Sequence, residues 1–266
     1  FVAGADGGTI FHTAWWHRAW DAHVEVRAIA AGDGAIEGGI AFHRTRSLGA
    51  SAIRRPPLTP FNGPVMAPSG KTKRSSRYSA DRRRLSRVMA SCPRVGFYDF
   101  VLPPGEHDLM PFIWNGYRSS IKYTYVVPAS EKDTWIDGMS GRNRRTLEKA
   151  REDVEEEGHA LDTQPGIDEV GRLLEGTAEV KGYSPGRSLE RLPAWWEAVS
   201  SRGAGRLYLL RDAEGRPACA TVLVWDGRTA YYVAGGMRPE LRGESILNFV
   251  LVEQMIRDAH EKGLDF

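Results

Sequence analysis

Apolar positions recur along this chain with two distinct periods. Short runs rich in β-branched and aromatic residues mark strands at residues 24–31 and 37–46, parted by Gly32, Asp33 and Gly34, a hairpin signal. Helical spacing appears at residues 9–20, where Phe11, Trp15, Trp16 and Trp20 make an apolar stripe, and again at 75–90. Residues 55–64 carry four prolines and the pair Asn62 and Gly63, so they are irregular and turn-rich. Strands are expected at 94–102 and 117–127.

Ser140 caps a long charged helix that Gly158 ends. Helices at 167–183 and 189–200 precede strands at 206–211, 218–225 and 229–234, with turns at Glu214 and Gly215 and at Asp226 and Gly227. The helix expected at 244–260 carries Ile246, Leu247, Phe249, Val250, Leu251, Val252, Met255 and Ile256. So wide an apolar surface belongs to a helix laid across a sheet. The two halves also share a rough plan, with a glycine-led aromatic strand after each long helix (Gly96 and Phe97; Gly263 and Phe266). That repetition predicts a duplicated unit of about 130 residues.

Composition narrows the picture. At 266 residues with 41% apolar content, the chain has material for a real core, and it has no apolar run long enough to span a bilayer. Cys92 and Cys219 lie far apart, without metal-site or disulfide spacing, which fits buried thiols in a reducing, cytoplasmic setting. The net charge of +2 is mild, but basic residues cluster: Arg82, Arg83 and Arg84 in one stretch, Arg142 and Arg145 in another. Both are candidate anion- or RNA-binding surfaces; the second is followed at once by Glu152, Asp153 and Glu155, and also reads as a self-balanced helix face.

Several chemistries fall away. Gly70, Lys71 and Thr72 suggest a phosphate loop, but its leading glycine falls on Val65. No Gly-x-Ser-x-Gly elbow exists, and His12, His17, His23 and His43 lack metal-ligand spacing.

What remains is the order hairpin, glycine-bearing loop, long helix and strand over residues 221–266. With Trp114 to Tyr117, Tyr123 to Val126, Gly141 to Ala150, Val224 to Asp226 and Tyr231 to Gly236, the chain resembles the Fem-like branch of the GNAT (acetyltransferase-fold) superfamily. That branch includes peptidoglycan bridge-forming aminoacyltransferases and uncharacterised acetyltransferase-like proteins. The resemblance implies a mixed α/β chain of two tandem GNAT-type domains, each a mostly antiparallel sheet with packed helices. The expected division is 1–138, a connecting charged helix at 139–160, and 161–266, with further chain expected after Phe266. The ligand groove is expected in or beside the second domain.

The usual acetyl-CoA loop, Arg/Gln-x-x-Gly-x-Gly/Ala, aligns with Glu240 to Ser245. Gly243 fits and Ser245 is small, but Glu240 replaces a donor and Glu244 adds a carboxylate. A carboxylate about 4 Å from a phosphate charge costs on the order of 4 kcal/mol at an effective dielectric of 20. Arg238 or Arg242 would have to offset that. Aminoacyl-tRNA is therefore the favoured acyl donor and acetyl-CoA the alternative, with no metal and no tightly bound cofactor. Glu244 is the candidate base, although it also complements a helix dipole. Gly235 and Gly236 allow close approach of a reacting carbonyl, while Lys181, Tyr183, Trp225 and Tyr232 are candidate substrate contacts. Strand alternation allows only one of Tyr231 and Tyr232 to face a ligand. The expected activity is acyl or aminoacyl transfer to an amine of a cell-envelope precursor or metabolite. The alternatives are a small-molecule N-acetyltransferase and a non-catalytic module binding RNA or an anionic polymer.

Overall fold

The computed structural model describes residues 1–21, 23–47, 49–105, 107–182, 189–241 and 246–266. They form two units, Phe1–Thr124 and Tyr125–Phe266. Each has its own sheet and helices, so the expected mixed α/β class is the one observed.

In the first unit, β1 (Glu25–Ala30), β2 (Ile36–Ser47), β3 (Ala50–Arg54) and β5 (Phe97–Tyr98) lie side by side, and β4 (Val65–Met66) pairs with β2. Only the β3–β5 pairing is parallel. The helices are α1 (Ala14–Trp20), α2 (Arg74–Ser91) and α3 (Met110–Trp114). Val88 and Cys92 at the end of α2 pack with Ile29, Ile40, Phe42 and Ile53 of the sheet. Trp16 of the predicted stripe is fully buried and donates its indole N–H to Thr59 at 2.9 Å.

One expected strand is absent. Residues 117–127 have strand-like composition but no place in either sheet, and Tyr123 and Tyr125 stand 93% and 97% exposed. Composition favours a strand only where an edge receives it. Val127 alone finds such a partner, exchanging both backbone hydrogen bonds with Phe266.

The second unit contains α4 (Gly141–Glu156), β6 (Ala160–Asp162), α5 (Ile167–Val180), α6 (Leu192–Ser200), β7 (Gly205–Arg211), β8 (Pro217–Trp225), β9 (Ala230–Met237) and α7 (Asn248–Glu261). Ser140 caps α4 as expected, accepting from the Asn143 N–H. The strands form an antiparallel sheet in chain order. Its middle strand β8 is buried on both faces from Ala218 to Val224, because helices cover both sides. Tyr208, Leu210, Cys219 and Leu223 face α7 through Leu251 and Met255. Alternation turns Leu207, Leu209 and Val222 to the other face, which α5 and α6 cover.

Polar pairs fix α7 in position. Arg151 of α4 forms a two-point ion pair with the buried Glu253, at 2.9 and 2.5 Å. Burial pushes the Glu253 carboxyl up, but Arg151 and Arg257 outweigh it and hold it below its ordinary value. Asp258 accepts from the Tyr208 hydroxyl at 2.7 Å and pairs with Arg206. After α7, Asp265 makes an isolated parallel bridge to Thr229, the residue before β9.

Candidate functional site

A fault in the β8–β9 ladder shapes the site. Val222 pairs with Ala234, but Leu223 pairs with Tyr232, so β9 carries one extra residue, Val233. In a regular strand, Tyr232 and Gly235 would point to opposite faces; an inserted residue reverses the phase. Both therefore share the α7 face. The Tyr232 hydroxyl oxygen lies only 2.0 Å from where a Cβ on Gly235 would stand. On the opposite face, a Cβ at Gly236 would meet the Leu173 carbonyl of α5 at 2.4 Å. The two glycines thus admit a side chain on one side and a helix backbone on the other.

β9 is also the outer strand of its sheet. The Arg238 N–H crosses inward to the Ala218 carbonyl at 2.8 Å. Alternation then turns the N–H groups of Met237 and Gly235 outward. That of Met237 is taken by the Thr177 hydroxyl at 3.1 Å, while that of Gly235 faces the open edge.

Against this edge lies a cavity of about 250 Å³, lined by Thr177, Val180 and Lys181 at the end of α5, by Tyr232 and Gly235 to Met237 of β9, and by Asn248, the first residue of α7. Burial raises the Tyr232 hydroxyl above its ordinary pKa, and a hydrogen bond with Asn248 works the other way. Tyr232 is nevertheless 42% exposed, since its ring flanks an open space.

Among the sequence candidates, Gly235, Gly236, Tyr232 and Lys181 meet around this cavity. Tyr231 points elsewhere, its hydroxyl 3.1 Å from Asp226. Trp225 sits at the far end of β8, paired with Ala230, with Lys262 over its ring at 4.8 Å. Arg238 is bound to Asp212 at 2.8 Å, and its Nε is 3.8 Å from Glu240, whose side chain is 73% exposed. Burial opposes ionisation of Asp212, yet hydrogen bonds from Arg238 and Arg216 hold its carboxyl down at about 2. Tyr183, Arg242, Gly243, Glu244 and Ser245 lie outside the described residues.

The basic stretches are less bare than the sequence suggests. Arg82 pairs with Asp108 at 2.7 Å and stacks on Trp114, Arg84 pairs with Asp81, and Arg87 pairs with Glu37 at 2.7 Å. Arg83 in the first unit, and Arg142 and Arg145 in the second, remain exposed. Among the described residues, no group of three or more His, Cys, Asp or Glu could hold a metal, and no helix is long and apolar enough to cross a membrane.

Sequence reasoning missed Thr177 and Asn248. Thr177 stands one helical turn before Lys181 and so shares its face, a spacing visible in the sequence. Asn248 carried no such signal, because the expected helix started four residues too early.

Residues 141–266 match the family described as acetyltransferase (GNAT) domain. The structure is similar to that of FemX, with a TM-score of 0.63 at 14% identity, covering 100% of this chain and 85% of that one. It also matches L-PGS from Bacillus licheniformis (TM-score 0.49, 14% identity, 91% and 69% of the two chains). A further match is a tandem GNAT protein from the clavulanic acid biosynthesis pathway (TM-score 0.48, 14% identity, 91% and 72%). No curated protein sequence matches.

Proposed function

We propose that this protein, whose residues 141–266 form a GNAT-type domain, transfers an acyl or aminoacyl group to an amine in the Fem-like manner. A cell-envelope precursor or a related metabolite is the acceptor. One observation carries the reading: the bulged, glycine-bearing open edge of β9 faces directly onto the cavity between the end of α5 and the start of α7.

Acyl transfer needs an activated ester held beside a neutral amine, a donor on the carbonyl oxygen and a path for one proton. The outward Gly235 N–H is such a donor in this scheme, with the Tyr232 hydroxyl beside it in the space a side chain at 235 would take. The amine nitrogen bonds to the carbonyl carbon, the ester C–O bond breaks, and the amine proton ends on the departing hydroxyl. Glu244 is the base in this scheme.

Aminoacyl-tRNA is the donor this reading favours. Arg238 is committed to Asp212, so it does not serve a pyrophosphate, and Glu240 adds negative charge nearby. The exposed Arg83, Arg142 and Arg145 would draw a polyanion in a salt-dependent way. Use of charged tRNA would place the reaction in the cytoplasm.

The test supplies aminoacyl-tRNA or acetyl-CoA with a panel of amines, and products are weighed by mass spectrometry. Transfer from tRNA alone is expected. Sub-millimolar CoA binding with acetyl transfer would reverse the donor assignment. Salt-sensitive RNA binding without any turnover would replace the enzyme with a binding module.

A further inference from the structure

The first unit buries a pair of histidines that acyl transfer does not use. His17 of α1 is 1% exposed and His43 of β2 5%. Their rings stack at 5.2 Å, and the His17 Nδ1 lies 3.2 Å from the His43 Nε2. The other ring nitrogen of His17 bonds the Phe11 carbonyl. The His43 Nδ1 is buried with no partner in hydrogen-bonding geometry, and an Asp21 carboxylate oxygen stands 3.9 Å away.

Counting protons along this line fixes its state. The Phe11 carbonyl and the Asp21 carboxylate accept at its two ends, which leaves three gaps, while two neutral imidazoles carry two protons. The gap to Asp21 is too wide for a hydrogen bond, so it is the one without a proton. His17 donates to Phe11 and accepts from His43. A further proton on the His17 Nδ1 sets two N–H groups face to face, away from water. Passing it on to the His43 Nδ1 satisfies every group only if Asp21 moves about 1 Å closer. Asp21 is held elsewhere, by the His23 N–H at 2.8 Å and the His23 ring at 3.3 Å.

The charged groups around the pair give little help to a cation. Residues 10–12 bring His12, whose Nδ1 lies 2.9 Å from the Thr9 hydroxyl. Arg18 of α1 and Arg44 of β2 are exposed, and Arg44 pairs with Glu25. Burial disfavours charge at both rings; at His43, Asp21 and the His23 carbonyl pull the other way without prevailing.

We propose that His17 and His43 form an acid-sensitive clasp, which on taking up a proton releases α1 from β2 while the sheet of the first unit stays folded. Seven residues make a helix that depends on its packing. α1 belongs to no ladder, and His43 keeps its pairing with Arg54 of β3 when α1 leaves. Burial of Trp16 and Trp20 holds the clasp shut at neutral pH.

The closed clasp holds His17 at about 3, against about 6.5 when open. The closed form therefore loses ground only below pH 6.5, and the opening constant should rise about thirtyfold between pH 7.5 and pH 5.

The experiment is hydrogen exchange of the full chain read by mass spectrometry at falling pH, each rate divided by its intrinsic value. Peptides over residues 14–21 should lose about thirtyfold in protection by pH 5 and reach the open-chain rate at a milder pH than peptides over α2 and β3. His43→Gln supplies an amide that can turn either a donor or an acceptor to His17, and should shrink the response several-fold. Asp21→Asn, at a half-exposed position, removes the one helpful carboxylate and should move opening to higher pH. Protection lost together over α1, α2 and β3 would overturn the clasp in favour of unfolding of the whole unit. Protection of residues 14–21 unchanged at pH 5, or an unshifted response in Asp21→Asn, would overturn it outright. Should His43→Gln not fold, the wild-type exchange and Asp21→Asn decide.

Discussion

Gly236→Ala is the sharpest test of how β9 and α5 are built together. Gly236 does not have a positive φ, so alanine brings no backbone strain and the effect is purely steric. The new Cβ would stand 2.4 Å from the carbonyl carbon and oxygen of Leu173 and 2.7 Å from the Leu174 nitrogen. Ordinary contact begins near 3.4 Å. The obstacle is main chain inside a helix, so no rotamer change relieves it, and α5 must lift by about 1 Å. That lift loosens Val170, Leu173, Leu174 and Ala178, the buried face of α5. A radial gap of this size forfeits a quarter to a half of each dispersion contact, and overpacking adds about 1–3 kcal/mol. We expect a loss of about 3 kcal/mol, or a fall in Tm of about 10 °C for a domain of this size. Gly235→Ala is the matched control, since its Cβ meets the movable Tyr232 side chain. That variant should lose only about 1 kcal/mol, and Tyr232→Ala should recover part of the loss in a double-mutant cycle. Denaturant unfolding followed by circular dichroism reads both. If Gly236→Ala stays within about 0.5 kcal/mol of wild type, the close helix–strand approach does not exist.

Three other outcomes follow from the same structure. His17 is held at about 3 by burial and by its neighbours His43 and His12, so the folded protein excludes a proton that the unfolded chain accepts near pH 6.5. Stability is therefore full above that pH and falls toward pH 3, by about 2 kcal/mol at pH 5; a thermal midpoint unchanged between pH 8 and pH 5 would contradict it. Burial pushes the Cys92 and Cys219 thiols up to about 11 and about 12, so a thiol reagent at pH 8 should label neither before unfolding and both after it. Rapid labelling of the native protein would show the burial to be wrong. Tyr208→Phe removes one donor from the buried Asp258 carboxylate, which also accepts from Gln254 at 2.7 Å, and should cost about 2 kcal/mol in urea unfolding; an unchanged midpoint would mean that Arg206 and Gln254 suffice.

Local pattern foretold much of this fold. The hairpins around Gly32 to Gly34 and around Asp226 and Gly227 appear where turn residues stand between alternating runs. Ser140 caps α4, and α5 begins at Ile167, because capping and periodicity are properties of a few adjacent residues. Tyr123 and Tyr125 misled for the converse reason: β composition is local, but a ladder partner is not. The same limit hid the ion pairs of the first basic stretch. Asp81 was visible beside Arg84, whereas Asp108 and Glu37, which answer Arg82 and Arg87, come from residues 26 and 50 positions away. Charge runs overstate exposed charge when folding imports the counter-ions.

The site itself turns on a feature that residue identity does not encode. Gly235 and Gly236 announce that something comes close, but not that two different things approach from opposite sides. That follows from Val233, an ordinary valine whose insertion into the ladder reverses the phase of everything before it. Were Val233 taken into the ladder opposite Leu223, Tyr232 would turn to the α5 face and Tyr231 toward α7, exchanging a cavity wall for a residue that now bonds Asp226. A one-residue deletion at Val233, by contrast, leaves Ala234 against Val222 and Tyr232 against Leu223 and closes the ladder in its present register, so it should cost little more than Val233→Ala. Ala230 stays paired with Trp225, and Tyr231 and Tyr232 keep the faces they now have. Val233→Ala, which removes only two methyl groups from a half-buried position, should fold with a loss of about 1 kcal/mol. Expression and unfolding of the two variants side by side separate register from side-chain volume. A deletion variant that fails to fold beside a folded Val233→Ala would mean that Val233 is not the extra residue of the ladder.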